Sequence, residues 1–335
     1  MRINPAFPLE RDCIESIGNK ECDTLSSIDL RDAFHTLRLA KDSQKYCGIT
    51  PFYGSPTYVY VRMGMGMSVS PQIWQQFVDM VFQDPVIQHP DLYKVIMDDV
   101  LVFSMIHDHF ELLIQLFQVL IKYGLKISPH KCQFFRIELV YMGLVFKIID
   151  QRVCYTPMKD KCDAIRNLEI PKTVKQCRSF CGMVNFLSTF LKDLRRILIP
   201  IYDLQKKNKK YKWTEQAQES FDKIKQLITQ PPVLHMPTSD GLFRLESDTS
   251  REGVGGTLFQ KQKGEWVLIG YHSKKLPPAA LNYGVTELEL LGLLVNIHGF
   301  IQLLHNRYFE VLVDHKAIEH LKKGKDLPST TRLAT

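Results

Sequence analysis

At 335 residues, 45% hydrophobic and 24% charged, the chain has globular composition with room for two or three domains, which excludes a fibrous or wholly disordered polypeptide. No apolar run reaches the about 18 residues that span a bilayer, since Asn296 and His298 interrupt the longest, Leu288 to Leu304, and no signal pattern opens the chain; it reads as soluble and intracellular, with no membrane partner. Net charge is +7 but uneven: residues 151–235 hold 17 Lys and Arg against 8 Asp and Glu, a basic middle that suits a polyanion.

In chain order, the first informative run is Leu25-Ser26-Ser27-Ile28-Asp29-Leu30-Arg31-Asp32-Ala33-Phe34, where Asp29 ends a short apolar stretch. Ser70-Pro71 has the form of an N-cap followed by a first-turn proline. Ile73, Trp74, Phe77, Val78, Val81 and Phe82 then recur at helical spacing, which predicts a helix to about Phe82. Lys94 to Ser104 is too apolar and β-branched for an exposed helix and predicts a hairpin with Asp98 and Asp99 at its tip. Two adjacent carboxylates between apolar segments either face water at a turn or hold a cation, because a bare buried charge pair is too costly. In the second case Asp29 supplies a third carboxylate.

Phe110, Leu113, Ile114, Phe117, Leu120 and Ile121 mark an amphipathic helix that Gly124 closes. His107, Asp108 and His109 at its start resemble a metal cluster only superficially and are expected to be solvated. Leu139 to Ile149 is strand-like, and several helices are expected between Pro157 and Thr229. The cluster Lys206, Lys207, Lys209, Lys210 and Lys212 reads as a solvated loop, and Pro231, Pro232 and Pro237 mark a linker. Beyond it come a strand, Phe243 to Ser247, ending in Asp248, Gly-rich strands through Tyr271, a helix from about Val285 to His305, and a strand, Phe309 to Val313, ending in Asp314. Eight scattered cysteines without a CxxC pair read as free thiols in a reducing compartment, Cys177 and Cys181 sharing a buried helix face.

Five segments occur in the order and spacing of retroelement reverse transcriptases: Ile28-Asp29-Leu30-Arg31, Met63-Gly64-Met65-Gly66-Met67-Ser68-Val69-Ser70-Pro71, Met97-Asp98-Asp99, Gly124-Leu125-Lys126-Ile127-Ser128-Pro129-His130-Lys131-Cys132 and Tyr141-Met142-Gly143. The chain most resembles gypsy-type LTR retrotransposon polyproteins, and the resemblance runs on through a thumb and connection into an RNase H domain. It implies an α+β architecture: a palm with partial fingers over 1–150, a basic helical thumb and connection over 151–238, and an incomplete α/β ribonuclease H-like domain over 239–335.

The resemblance implies an RNA-directed DNA polymerase that works on an RNA template, a DNA primer, RNA/DNA hybrid and dNTPs, beside other products of the polyprotein, in the cytoplasm or a virus-like particle. Nucleotidyl transfer by such enzymes uses two Mg²⁺ ions about 3.5–4 Å apart. Asp29 and Asp98 would bridge them. Asp99 would complete the negative field, although neighbouring strand residues point to opposite faces. Phe34 matches the aromatic residue under the incoming sugar, which excludes a 2′-hydroxyl; its other reading is a core phenylalanine. Met65 and Gly66 match substrate-contacting positions, Gly66 allowing close backbone approach. Lys131 resembles the family's lysine near the pyrophosphate, and its other reading is a solvated lysine. Tyr141, Met142 and Gly143 are similar to the primer grip. Asp248, Glu289 and Asp314 look like catalytic, metal-binding RNase H positions. Glu287 rivals Glu289, which is preferred because the acidic-Leu-Leu-small pattern follows it.

The chain departs from the family pattern in several places. Relative to the family, it begins after the fingers strands that hold the triphosphate and stops before a fourth RNase H carboxylate. Weak or absent RNA cleavage and poor dNTP binding are therefore expected. Ile96 stands for the usual Tyr, and Gly64-Met65 for Pro-Phe. These departures keep a second reading open, a repurposed fragment that binds nucleic acid through its basic thumb without chemistry.

Overall fold

The computed structural model describes residues 17–206 and 210–313, so that Cys13, Lys207, Lys209 and Asp314 lie outside the described residues. The chain divides between Val153 and Cys154 into two compact units. In chain order the first holds β1 (Thr24–Arg31), a short hairpin of β2 (Gly48–Ile49) and β3 (Tyr58–Val59), α1 (Ser70–Val81), β4 (Tyr93–Ile96), β5 (Asp99–Ser104), α2 (Ile106–Lys122), β6 (Lys126–Ile127), β7 (Gln133–Arg136), β8 (Glu138–Tyr141) and β9 (Leu144–Ile149).

β1 lies at the centre of an antiparallel five-stranded sheet, with β5 and then β4 on one side and β6 and β7 on the other. It is buried along most of its length, which is why its sequence reads as a run rather than an alternation. Ile28, Leu30, Val100 and Val102 on one sheet face form a single core with Trp74, Val78 and Val81 of α1 and Leu112, Leu116 and Val119 of α2. Each such side chain contributes about 1.5–3 kcal/mol on burial, so the two helices fix the sheet that carries the acidic residues.

Several local expectations are corrected. Ser70 is the first helical residue and not the cap: its hydroxyl donates to the Gly64 carbonyl at 2.8 Å and so anchors the preceding loop. In α2 the buried stripe is Leu112, Leu113, Leu116, Val119 and Leu120, while Phe110 and Ile121 are exposed. The apolar arc of the helix is wider than the buried stripe, so contact with the sheet rather than the periodicity decides which part of it is covered. His107 and Asp108 are exposed as expected, but His109 is fully buried between the Ser26 and Ser104 hydroxyls, at 2.7 and 2.8 Å. The segment 139–149 is two strands joined by a tight turn at Met142 and Gly143, both with positive φ.

β10 (Arg152–Pro157) leads into the second unit, which continues with α3 (Lys159–Arg166), α4 (Val174–Phe186), α5 (Leu194–Ile197), α6 (Ile199–Asp203), α7 (Glu215–Thr229), β11 (Leu234–His235), β12 (Phe243–Thr249), β13 (Gly253–Gln262), β14 (Glu265–Lys275), α8 (Val285–Gly299), α9 (Ile301–Leu304) and β15 (Phe309–Leu312). The helices from α3 to α7 share a core built on Cys177, Phe180, Cys181, Leu194 and Phe221. Cys177 and Cys181 do lie on the buried face, the described cysteines are free, and burial pushes the Cys181 thiol up to about 11. The proline-rich stretch is not a bare linker: Leu234 and His235 pair with Tyr155 and Cys154. The helix expected to run to His305 breaks at Phe300 into α8 and α9.

β12, β13 and β14 are antiparallel, and β15 returns beside β12 in parallel after α8. One face of this sheet is covered by α8, where Asn296 reaches the Ser247 hydroxyl and the Gly255 carbonyl, both at 2.8 Å. Across the other face runs the segment from Thr189 to Arg196. The Thr189 carbonyl accepts from the Tyr271 amide and the Arg195 amide donates to the Ser273 hydroxyl, each at 2.9 Å. The α+β class is thus the one expected.

Candidate active site

The turn between β4 and β5 carries Asp98 and starts the strand with Asp99. Met97 holds a left-handed φ of 58°, strained for a residue with a side chain, and α1 grips it on both sides. Its amide donates to Gln75 Oε1 at 3.1 Å and its carbonyl accepts from Trp74 Nε1 at 2.7 Å. The Asp98 carbonyl accepts from the Leu30 amide at 2.7 Å, which locks the turn to β1 one residue from Asp29. In the strand register Asp29 and Asp99 are direct partners.

Three carboxylates are therefore gathered on two adjacent strands and one turn. Burial, followed by the charges of Asp98 and Asp29, pushes the Asp99 carboxyl above its ordinary range, and Lys131 partly offsets the effect. The Lys131 Nζ lies 3.2 Å from Asp29 Oδ2 and 3.4 Å from Oδ1. It is placed there by a 3₁₀ turn over Pro129–Lys131 that hangs on β1 through a bond from the Ser128 amide to the Asp29 carbonyl at 2.9 Å. Among the described residues no three His, Cys, Asp or Glu side chains close into a metal cage. The donor chemistry nevertheless fits a hard divalent ion. Mg²⁺ takes one or two carboxylates and completes its shell with water and phosphate oxygens, and a carboxylate raised first by burial and then by two acidic neighbours marks a negative site that Lys131 compensates only in part.

The remaining residues lie at varied distances from this centre. The Phe34 ring packs edge-on against Trp74 with centroids 6.3 Å apart, and so belongs both to the core and to the side chain that grips Met97. Tyr141 Oη donates to the carbonyls of Lys94 and Asp99 at 3.3 and 3.4 Å, tying the β8–β9 turn of Met142 and Gly143 to the back of the Asp98 hairpin. Met65 is exposed. Gly66 has φ +86° with open space around its Cα, a conformation that suits glycine; no described bond joins either residue to the carboxylates.

In the second unit Asp248 lies one residue before the end of β12, opposite Gly255. A cavity of about 270 Å³ there is lined by Lys192, Asp193, Glu246, Ser247 and Asp248, among others. Arg196 Nη1 lies 2.6 Å from Asp248 Oδ2 and 3.8 Å from Asp193 Oδ1. Ser247 faces α8, so Asp248 projects to the opposite side, whereas Glu289 is buried on α8. The described contacts thus bring Asp248 to Arg196 and not to Glu289. Glu287 is occupied otherwise, its Oε2 accepting from the Gly284 amide at the start of α8 at 3.0 Å. Asp314 lies outside the described residues.

Residues 4–146 match the family model described as reverse transcriptase (RNA-dependent DNA polymerase), and residues 213–311 match the RNase H-like domain found in reverse transcriptase. The chain thus carries a reverse transcriptase domain and an RNase H-like domain of the kind found in reverse transcriptase. It is 28% identical over 314 residues to the transposon Tf2-3 and Tf2-7 polyproteins of Schizosaccharomyces pombe, a match covering 92% of this chain and 23% of each polyprotein. The chain therefore spans about a quarter of the length of these relatives. Its fold is similar to the foamy viral protease-reverse transcriptase in complex with RNA/DNA hybrid (TM-score 0.76, 21% identity, covering 94% of this chain and 42% of that one). It is likewise similar to the same viral protein in complex with dsDNA (TM-score 0.79, 22% identity, 95% and 65%).

Within the reverse transcriptase domain, sequence reasoning missed Trp74 and Gln75 as holders of the Asp98 turn. Trp74 reads in the sequence only as part of the apolar face, and Gln75 beside it carries no signal of its own. Beside the RNase H-like domain it missed Arg196 and Asp193, whose only sequence signal is membership of the basic middle. Among the described residues, no helix is long and apolar enough to cross a membrane.

Proposed function

We propose that this chain is the RNA-directed DNA polymerase core of a retrotransposon, adding dNTPs to a primer on an RNA template with two magnesium ions. The observation that carries the reading is the pairing of Asp29 with Asp99 across β1 and β5, with Asp98 in the turn beside them. Asp29 and Asp98 would hold the ions, with Asp99 strengthening the local field. When bound, magnesium would neutralise charge on the attacking 3′ oxygen and the departing pyrophosphate. The chain's own groups do the rest. Lys131, now ion-paired with Asp29, is the group proposed to give up a proton to the pyrophosphate. Phe34, braced by Trp74, crowds a 2′-hydroxyl, and Tyr141 keeps the primer-side turn in register with the Asp98 hairpin. RNA/DNA hybrid, the ligand of the foamy viral protein, is the partner proposed for this chain, with the basic residues of 151–235 meeting its phosphates.

The second acidic set, Asp248 and Glu289 with Asp314, is read as a metal-dependent endonuclease for the RNA strand of the hybrid, of low activity because Arg196 already neutralises Asp248. The deciding experiment is Mg²⁺-dependent extension of a DNA primer on an RNA template. Asp98→Asn should slow it by about 10²–10³-fold, as removal of one strong electrostatic element does. Extension at an undiminished rate in that variant would overturn the assignment. Salt-dependent hybrid binding with no extension by the parent chain would put the binding-only reading, which the Lys131–Asp29 ion pair favours, in its place.

A further inference from the structure

Asp248 sits at the end of a β-strand in an acidic cavity, yet its closest described neighbour is a cation from another part of the chain. Arg196, 52 residues upstream, places Nη1 at 2.6 Å from Asp248 Oδ2. The guanidinium is held in position. Asp193, the cap residue just before α5, has φ 57°, and its Oδ1 stands 3.8 Å from the same Nη1 as an ion-pair partner. Asp193 Oδ1 is buried without a hydrogen bond, so Arg196 is its electrostatic compensation. The fit around this pair is close: a Cβ on Gly255 would stand 1.9 Å from Asp193 Oδ1, and one on Gly253 would stand 3.0 Å from Arg196 Cγ. The Thr189 and Arg195 backbone bonds to β14 pin the segment to the sheet.

We infer that Arg196 is a built-in counter-cation of the RNase H-like site, a positioning residue that competes with a divalent metal for Asp248 and so sets the metal affinity of that site. Resting on the proposed role of Asp248, the inference adds that the helical segment, on the sheet face away from α8, shapes the surroundings of that carboxylate. A guanidinium and a divalent ion cannot both take the short approach to Asp248 Oδ2. Metal entry therefore requires the Arg196 head to move, and afterwards its positive charge opposes the ion from close by.

The test is Mn²⁺ binding by electron paramagnetic resonance on the full chain carrying Asp29→Asn, Asp98→Asn and Asp99→Asn, which silence the polymerase site. Adding Arg196→Met or Arg196→Gln, which keep the aliphatic stem against Gly253, should tighten Mn²⁺ about fivefold, the scale of a partly exposed ion pair. Arg196→Lys should bind as the parent does. Asp248→Asn in the Arg196→Met background should abolish the gain. Unchanged affinity in both neutral variants, with binding still lost on Asp248→Asn, would overturn the inference while leaving Asp248 as a ligand. Binding that is indifferent to Asp248→Asn, or no binding by any of these chains, would remove the acidic site itself and the inference with it. Circular dichroism on each variant confirms that the fold persists.

Discussion

Asp29 and Asp99 stand directly opposite each other on adjacent antiparallel strands, two negative charges where most sheets place a compatible pair. Such an arrangement costs about 0.2–1 kcal/mol, which Lys131 on Asp29 offsets in part. Asp99→Asn is therefore expected to raise stability by about 0.5 kcal/mol in metal-free urea titrations, yet to raise the Mg²⁺ needed for half-maximal primer extension severalfold. The Asp99 carboxyl lies above its unfolded value in the folded chain, so its contribution is fully present at low pH and is lost as pH rises through the raised value. The asparagine variant should lack that dependence.

His109 predicts a pH effect of the opposite sign. Burial between two serine hydroxyls lowers it from 6.5 to about 4, so the unfolded chain takes up a proton first. Stability is complete above about pH 6.5 and falls as pH drops toward 4. The expected loss between pH 7.5 and 5 is about 2 kcal/mol for a shift of this size. Denaturant titrations at the two pH values check it, and His109→Gln should flatten the difference while lowering stability overall.

Phe34 is braced by Trp74, which also holds the Met97 carbonyl. Phe34→Val is expected to open room beside the sugar and raise ribonucleotide incorporation relative to deoxynucleotide by at least tenfold, read by competition in primer extension. A deoxynucleotide preference that survives the change would leave Phe34 as core alone.

The two glutamates of α8 should separate cleanly. Glu287→Ala removes the bond to the Gly284 amide and should cost about 0.5–1 kcal/mol in thermal unfolding, with hybrid cleavage retained. Glu289→Gln should abolish whatever hybrid cleavage the chain has. A reversal of the two results would move the assignment to Glu287.

Residues whose roles follow from local spacing were legible in the sequence: the acidic turn at Asp98, the helix end at Gly124 and the buried face of Cys177 and Cys181. What stayed hidden depends on partners far along the chain. Nothing near His109 announces Ser26, 83 residues away, as its hydrogen-bond partner. The strand run containing Asp29 shows that it is buried, but its register against Asp99 is set by the whole sheet. In α2, a wide apolar arc leaves two phases open, and contact with β1 and β5 chooses Leu112 and Leu116 over Phe110 and Ile121. Arg196 looks like one more basic residue until the fold brings it to Asp248.

The segment from Thr189 to Arg196 also decides where this chain can be cut. Trimming at the proline stretch to obtain the RNase H-like half alone would strip away the carbonyl that holds Tyr271 and the amide that holds Ser273. Gly253, Gly255 and Gly270, kept bare to receive that segment, would be left against water with nothing seated on them. An excised RNase H-like domain must therefore begin upstream of Thr189, carrying part of the helical region with it.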